Sequence, residues 1–253
     1  MKVAILVDGG FYRKRVQKVF GDETPEIAAE RLYKYCSRHL YDKKTSKNKN
    51  RHELYRIYYY DCPPLSKKIN HPFDHELIDF AKSPIKKWTD DFFNELSHKR
   101  KVALRLGDLN EKVATFNLKP IIAKKLINKT IDINDVEKND FVFNVQQKGV
   151  DMKIGLDILT LALKRQVDQI VLIAGDSDFV PAAKMARREG IDFVLDPLGN
   201  KIKDTLSLHI DGLRTCDNEY LKSQPKTISN DSVKSSDKTN TLSTRLKWRA
   251  KNK

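Results

Sequence analysis

Apolar and polar positions along the chain alternate between two periods, one typical of helices and the other of strands. The stretch from Gln169 to Ala174 forms a continuous apolar run, which is typical of a strand buried on both faces. Before it, apolar residues recur at helical spacing after Asp151: Ile154, Ile158, Leu161 and Ala162. Residues 175–178 then turn the chain into a further helix and strand. This order predicts an α/β domain with a mainly parallel sheet.

The same patterns predict the remaining elements in outline. Strands are expected at residues 2–7, 54–61, 102–106 and 141–145. Helices are expected at residues 11–20, from Thr24-Pro25 onward, and as a pair within 72–98 that breaks at Ser83-Pro84. Residues 110–138 resemble a helical insertion with Pro120 at a helix start, and a closing helix and short edge strand are expected after Pro197.

Composition and charge change this picture mainly at one end of the chain. With 253 residues, 40% of them hydrophobic, the chain can bury one core plus an insertion or a tail. The formal net charge of +14 favours a polyanionic partner. About half of this excess follows Leu221, where nine Lys or Arg face two Asp. We therefore predict a domain over 1–221, with insertions around 42–52 and 72–140, and a basic, disordered tail over 222–253.

Cysteine usage and hydropathy limit the cellular setting. Cys36, Cys62 and Cys216 are widely spaced and odd in number, so they predict neither a disulfide framework nor a zinc site. A reducing cytoplasm is the expected location. No apolar run approaches membrane-spanning length, and no membrane partner is expected.

Four carboxylates fall at the ends of predicted elements. Asp8 follows the first strand, Asp151 opens a helix, and Asp176 and Asp178 lie in a strand-to-helix turn. A parallel sheet gathers ligands beyond the carboxyl ends of its strands, so these groups are expected at one rim. Crowded carboxylates repel one another, and a hard divalent cation such as Mg²⁺ relieves that repulsion. The implied chemistry is phosphodiester hydrolysis. The alternative is that each Asp is a helix cap or turn residue, a role that Asp151 and Asp178 both fit.

Further residues are candidates for supporting roles. Five could contact substrate phosphates: Arg13, Lys148, Ser177, Arg187 and Arg188. Asp157 lies six residues after Asp151, hence on a different helix face, and is a secondary candidate or an ion-pair partner. Asp61 also ends a predicted strand, but an Asp before Pro-rich turns is commonplace.

Four sequence blocks carry a family resemblance: VAILVDGGF, YYYDCPP, KGVDMKIGLD and LIAGDSDFVPAAK. They resemble the bacterial NYN domain family of the PIN-like nuclease superfamily, over roughly residues 1–215. The resemblance implies a three-layer, Rossmann-like (PIN-like) α/β fold and an acidic Mg²⁺ or Mn²⁺ pocket that cleaves RNA. By position, the acids of that family match Asp8, Asp151, Asp176 and Asp178. Several relatives carry a D-G-x-N pattern, whereas here Phe11 occupies the place of the Asn.

Three functional hypotheses follow. The first is a metal-dependent ribonuclease, endonucleolytic on single-stranded or structured RNA, with self-association left open. The second is a non-catalytic RNA-binding or regulatory module, which the missing Asn and the basic tail favour. The third is a phosphatase-like or nucleotide-binding protein, but the chain lacks the phosphate-loop pattern G-x-x-x-x-G-K-[ST].

Overall fold

The computed structural model describes residues 1–41 and 51–222. Most of the predicted basic loop, at 42–50, and the predicted tail after Lys222 lie outside the described residues. The strands are β1 (Lys2–Asp8), β2 (Glu53–Asp61), β3 (Lys68–Asn70), β4 (Leu77–Asp79), β5 (Val102–Leu106), β6 (Asp108–Leu118), β7 (Phe141–Lys148), β8 (Gln169–Ile173), β9 (Asp192–Asp196) and β10 (Gly212–Leu213). The α-helices are α1 (Gly9–Phe20), α2 (Pro25–Arg38), α3 (Pro84–Ser97), α4 (Pro120–Ile127), α5 (Val150–Leu163), α6 (Val180–Arg188), α7 (Asp204–Ser207) and α8 (Asn218–Lys222).

The central sheet contains six strands of the described residues, in the order β10-β9-β8-β1-β2-β5, and every neighbouring pair is parallel. The two middle strands are the most apolar, and Val3 to Val7 of β1 are all completely buried. From β1 the chain continues to β2 and β5 on one side, whereas β8, β9 and β10 fill the other side. The strand order therefore reverses between β1 and β8. In open α/β sheets, ligands bind in the crevice at such a switch point.

Helices cover both faces of this sheet, which confirms the predicted three-layer α/β fold. On one face, α1, α2, α3 and α8 pack through residues such as Tyr12, Leu32, Phe92 and Tyr220. On the other face, α5, α6 and α7 pack through residues such as Ile154, Ala183 and Leu206. Because the helix after β1 and the helix after β8 lie on opposite faces, they diverge and leave a crevice between the two strand ends.

Two predicted segments fold differently from the expectation. The predicted helix before Ser83-Pro84 is wrong, since Leu77–Asp79 pairs with Lys68–Asn70 as a short antiparallel hairpin. Ser83 does begin a helix, because its hydroxyl caps α3 by accepting a hydrogen bond from the Lys86 amide at 3.2 Å. The first part of the predicted helical insertion, residues 110–118, is instead a strand, because β6 pairs with β7 as a separate two-stranded ribbon. Within the insertion, the helix that starts at Pro120 is confirmed.

Candidate acidic pocket

Asp8 is the last residue of β1 and lies at the switch point. Its carboxylate caps α1 by accepting a hydrogen bond from the Phe11 amide at 3.1 Å. Burial raises the pKa of Asp8 to about 6; the Phe11 bond opposes this rise, and the nearby carboxylates of Asp151 and Asp61 add to it. Asp8 is therefore a partly buried acid with other negative charges close by.

Asp151 lies in the first turn of α5, on the other side of the crevice. The N-cap of this helix is Gly149, whose φ of 81° suits glycine, and the Asp151 side chain makes no capping bond. Its pKa is raised by partial burial and by the charges of Asp176 and Asp178. The capping alternative therefore does not explain Asp151, whose carboxylate remains available to a ligand.

Asp176 and Asp178 follow β8 in the turn before α6. Asp176 caps a short 3₁₀ turn, Ser177–Phe179, by accepting a hydrogen bond from the Asp178 amide at 3.1 Å. Asp178 makes no capping bond of its own within this turn, contrary to the alternative considered from the sequence. Both residues are exposed. The capping bond uses Oδ1 of Asp176, so its other carboxylate oxygen can bind another partner.

These groups surround one open cavity of about 760 Å³. Asp8, Asp151 and Asp176 all line it, whereas Asp178 does not and acts on it only through its charge. The polar lining also includes four residues that the sequence reasoning did not select: Lys14, Gln147, Asn200 and Lys201. We call this cavity the acidic pocket. Three carboxylates and two ammonium groups thus meet where the strand order reverses.

A general rule could have found some of the missed residues. Asn200 and Lys201 follow β9, so the strand-end argument that selected Asp176 applies to them as well. Lys14 is one of three consecutive basic residues in α1, and only the placement of the helix decides which of them faces the pocket. Arg15 is buried and donates to the Leu198 carbonyl at 2.9 Å, and Arg13 pairs with Asp61.

Not every carboxylate at a strand end reaches the pocket. Asp61 at the end of β2 is buried and accepts from Arg13 at 3.0 Å, the Tyr59 hydroxyl at 3.1 Å and the Cys62 amide at 2.8 Å. Asp196 at the end of β9 is buried between Tyr35 and His39, whose ring nitrogen lies 2.9 Å from it. His39 is completely buried and is part of this cluster.

Phe11 forms an apolar wall of the acidic pocket. It occupies the position at which the D-G-x-N pattern places Asn, and its ring packs over Gly175. A Cβ atom at residue 175 would come within 2.5 Å of the ring. Glycine at this position therefore allows the aromatic ring to approach the turn that carries Asp176.

The remaining predicted residues lie at different distances from the pocket. Lys148 is exposed and adjoins Gly149 of the lining, and the Ser177 hydroxyl accepts a hydrogen bond from Lys203 at 3.2 Å. Arg187 and Arg188 lie at the opposite end of α6 from Asp176, and Arg187 is bound to Asp211 at 2.8 Å. The structure does not bring these two arginines to the pocket. Asp157 accepts from the Tyr60 hydroxyl at 2.8 Å and pairs with Arg105 at 3.0 Å, so it is an ion-pair partner.

The donor set suits a hard cation that keeps much of its water. Among the described residues, no three His, Cys, Asp or Glu side chains form a ready-made group of metal ligands. Mg²⁺ commonly uses one or two carboxylates and retains several waters, so it does not require such a group. The oxygen ligands fit a cation of this kind. So do the raised pKa values of Asp8 and Asp151, which result first from burial and then from neighbouring carboxylates.

Together, the fold and the pocket define an α/β protein with an acidic crevice at its topological switch point. The model of the NYN domain family matches residues 76–201. The chain belongs to this family of PIN-like nucleases, as its sequence blocks predicted, and the family indicates a nuclease-like function related to RNA. The matched segment contains Asp151, Asp176 and Asp178, whereas Asp8 precedes it.

Comparisons with curated proteins and with solved structures add nothing about function. No curated protein matches the chain. The solved structure of a protein of unknown function from Vibrio parahaemolyticus is similar at 15% identity, with a TM-score of 0.44, over 86% of this chain and 94% of that chain. Within the described ranges, none of the helices has the length and apolar character needed to cross a membrane.

Proposed function

We propose that this protein is a metal-dependent ribonuclease that cleaves RNA internally by hydrolysing phosphodiester bonds at the acidic pocket. The observation that carries the proposal is the shared lining of one cavity by Asp8, Asp151 and Asp176. These side chains come from elements far apart in sequence, and they meet at the crevice where α/β proteins bind ligands. RNA is the substrate class that the family indicates.

One or two of the carboxylates of Asp8, Asp151 and Asp176 would hold Mg²⁺ or Mn²⁺, with water as the other ligands. When bound, the ion supplies positive charge that stabilises the negative charge developing on the phosphoryl group. Asp178 adds negative charge beside Asp151 without lining the cavity, so we assign it a positioning and electrostatic role. Positive charge at the pocket would keep the carboxyl of Asp8 ionised at neutral pH.

The other lining residues bind and orient the strand. Lys14 and Lys201 place ammonium groups at the pocket, where they would contact phosphate oxygens next to the cleaved bond. Phe11 offers a partly exposed ring on which a base can stack. Since Asp151 and Asp176 are exposed, a strand can enter from the side without threading an end, which supports internal cleavage. The three free cysteines support the expected cytoplasmic location.

A second candidate function is an RNA-binding module that does not cleave. Phe11 favours it, because an aromatic ring cannot orient a metal ligand as the amide of the D-G-x-N pattern would. Such a module would bind RNA equally well with divalent ions removed, and it would yield no products.

Replacing Asp151 by Asn separates the two candidates. Asp151 makes no capping bond, so Asp151→Asn should fold normally, and Asp90→Asn on the exposed face of α3 provides a control outside the pocket. The ribonuclease proposal predicts that Asp151→Asn cleaves labelled RNA at least 100-fold more slowly, an order of magnitude typical of lost transition-state stabilisation. Asp90→Asn should cleave at the wild-type rate. Wild-type binding without products under Mg²⁺ or Mn²⁺ would support the RNA-binding module instead.

A further inference from the structure

The loop that follows β9 carries two of the residues that line the acidic pocket, Asn200 and Lys201. Its backbone adopts conformations that are uncommon for L residues. Leu198 has a φ of 48° although it is not a glycine, and Gly199 has a φ of 77°. A Cβ atom at residue 199 would collide with the Tyr220 carbonyl group, so only glycine fits there. We call residues 197–201 the β9 loop.

Contacts from distant parts of the chain hold this strained backbone in place. The Leu198 amide donates to the buried Asp196 carboxylate at 2.8 Å, and the Leu198 carbonyl accepts from Arg15 at 2.9 Å. The Gly199 amide donates to the Thr215 hydroxyl at 3.2 Å. Uncommon backbone conformations persist only where the surrounding structure fixes them, and they cluster at functional sites. The conformation of the β9 loop is therefore a reason to look for a function in the side chains that it presents.

The Asp196 carboxylate that anchors the β9 loop is completely buried and is fixed in turn by three side chains. Its Oδ2 accepts a hydrogen bond from the Tyr35 hydroxyl and lies 2.9 Å from a ring nitrogen of His39. Its Oδ1 accepts from the Thr215 hydroxyl at 2.9 Å. This buried cluster therefore fixes, from the interior of the domain, the backbone that presents the two lining residues to the acidic pocket.

The side chain of Asn200 is available to a ligand. Its backbone amide closes a turn by donating to the Pro197 carbonyl at 2.9 Å, whereas its side-chain amide makes no hydrogen bond to another described residue. This group has two N–H donors and one carbonyl acceptor. It can pair with a hydroxyl in both directions, whereas it can only donate to an ionised phosphate oxygen. Asn200 is therefore better matched to a hydroxyl than to a phosphate.

In RNA, the hydroxyl nearest to a phosphodiester group is the ribose 2′-hydroxyl, on the carbon next to the one that carries the 3′-phosphate. Lys201 and Asn200 are neighbours in sequence, so they can bind a phosphate and the adjacent 2′-hydroxyl of one nucleotide. Metal-assisted hydrolysis acts on the phosphodiester group, which RNA and DNA share. A preference for RNA therefore has to come from binding, and the 2′-hydroxyl is the group that distinguishes the two sugars.

We propose that Asn200 distinguishes RNA from DNA at the acidic pocket, by hydrogen-bonding to the ribose 2′-hydroxyl beside the phosphate that Lys201 contacts. This role rests on the proposed function, because it takes RNA to be the ligand of the pocket. Gln147 supplies the other side-chain amide of the lining, but it is exposed at the end of β7, outside the central sheet. Its longer side chain loses more conformational freedom on binding, so it serves as the matched control.

Two oligonucleotides of one sequence test this role, one built from uridine nucleotides and the other from 2′-deoxyuridine nucleotides. Binding is measured with Mg²⁺ in an Asp151→Asn background, in which cleavage should be too slow to interfere. The ratio of the two dissociation constants gives the preference for ribose. Asn200→Ala should reduce this preference about fivefold, as for one lost hydrogen bond. Gln147→Ala should leave it unchanged.

Lys201→Gln separates recognition of the phosphate from recognition of the sugar. It should weaken binding of both oligonucleotides to the same extent and leave the ribose preference unchanged, because both carry the same phosphates. Asn200→Ala should unfold at the temperature of the background protein, since its side chain makes no hydrogen bond within the described residues. Thermal unfolding of each variant checks that a change in binding does not reflect loss of the fold.

This role of Asn200 is overturned if the background protein binds both oligonucleotides equally, if Asn200→Ala keeps the full ribose preference, or if Gln147→Ala loses as much of it. Cleavage plays no part in the readout, so a protein that binds RNA without cleaving it can still support the role. Cleavage of RNA and DNA at equal rates by wild type would overturn it and leave hydrolysis at the acidic pocket intact. Binding of neither oligonucleotide would overturn both proposals.

Discussion

At the scale of single residues, hydrogen-bond partners decide what an aspartate at a strand end does. Asp61 and Asp196 are enclosed by donors from neighbouring elements, and they stabilise the structure. Asp8 has only a backbone capping bond, and its pKa is raised, mainly by burial. Asp8 has no cationic partner among the described residues, so its carboxylate is better suited to bind an external cation than that of Asp61, which pairs with Arg13.

The pKa of Asp8 gives a prediction about stability. Because the folded-state pKa of about 6 exceeds the ordinary value of 3.8, the folded state holds this proton more tightly than the unfolded chain. The free energy of unfolding therefore falls by at most about 3 kcal/mol as the pH rises from about 4 to about 6. Without divalent ions at pH 7, Asp8→Asn should raise the free energy of unfolding by about 2 kcal/mol, since Asn can keep the cap on α1.

Urea denaturation with and without Mn²⁺ checks this prediction. Mn²⁺ should stabilise the wild-type protein and have little effect on Asp8→Asn, so the difference between them should shrink or reverse. If Asp8→Asn were less stable than wild type in chelator, Asp8 would be a structural residue like Asp61.

Lys14 and Arg188 provide a contrast for RNA binding. Lys14 lines the acidic pocket, whereas Arg188, a predicted phosphate contact, lies at the far end of α6. Lys14→Gln should weaken RNA binding and lower the salt slope, the dependence of log affinity on log salt, by about one. Arg188→Gln should leave the slope unchanged. Equal losses in both variants would mean that RNA binds by diffuse charge and not at the pocket.

At the scale of elements, burial determined how much the sequence could predict. The strands of the central sheet are buried by helices, so their apolar runs are clear, and β1, β2, β5, β8 and β9 lie where the pattern placed them. The ribbon strand β6 lies outside that sheet and is largely exposed. Because β6 has little to bury, its sequence carries no strong alternation over its whole length, and the pattern does not distinguish it from part of a helical insertion.

Close packing of α1 on β2 leads to a prediction for two adjacent glycines. A Cβ atom at residue 9 would come within 2.6 Å of the Tyr59 ring and of the Tyr60 carbonyl oxygen, whereas one at residue 10 would meet only Asp8 at 3.5 Å. Gly9→Ala should therefore lower the free energy of unfolding by about 2 kcal/mol or more. Gly10→Ala should be neutral or stabilising, by up to about 1 kcal/mol, because alanine favours helix. Thermal unfolding of both variants measures this, and equal stability would show that α1 does not pack this closely.

At the scale of the whole molecule, topology assembles the pocket. The sequence indicated which carboxylates end elements, and a parallel sheet was enough to expect them at one rim. The sequence does not show which side of α1 faces the crevice: it predicted Arg13 as a phosphate contact, whereas Lys14 lines the pocket. Orientation of this kind depends on contacts between distant segments, such as Arg13 with Asp61 and Arg15 with Leu198.

The end of the domain also depends on distant contacts. Tyr220 of α8 is only 1% exposed and packs edge-on against Phe20 and Tyr35, so cutting the chain after Thr215 would remove part of the core. Cutting after Lys222 keeps α8 and removes eight Lys or Arg and two Asp. This variant should unfold at the wild-type temperature and show a smaller salt slope for RNA binding. An unchanged slope would mean that the removed residues do not contact RNA.

The most direct test of the central claim is RNA cleavage by wild type and by the Asp8→Asn/Asp176→Asn double variant. Labelled single-stranded and hairpin RNA would be incubated with each protein in Mg²⁺, Mn²⁺ or chelator, and products resolved by length. The proposed function predicts internal cleavage products from wild type only, and only with a divalent ion present. Products of equal yield from the double variant, or from wild type in chelator, would contradict it.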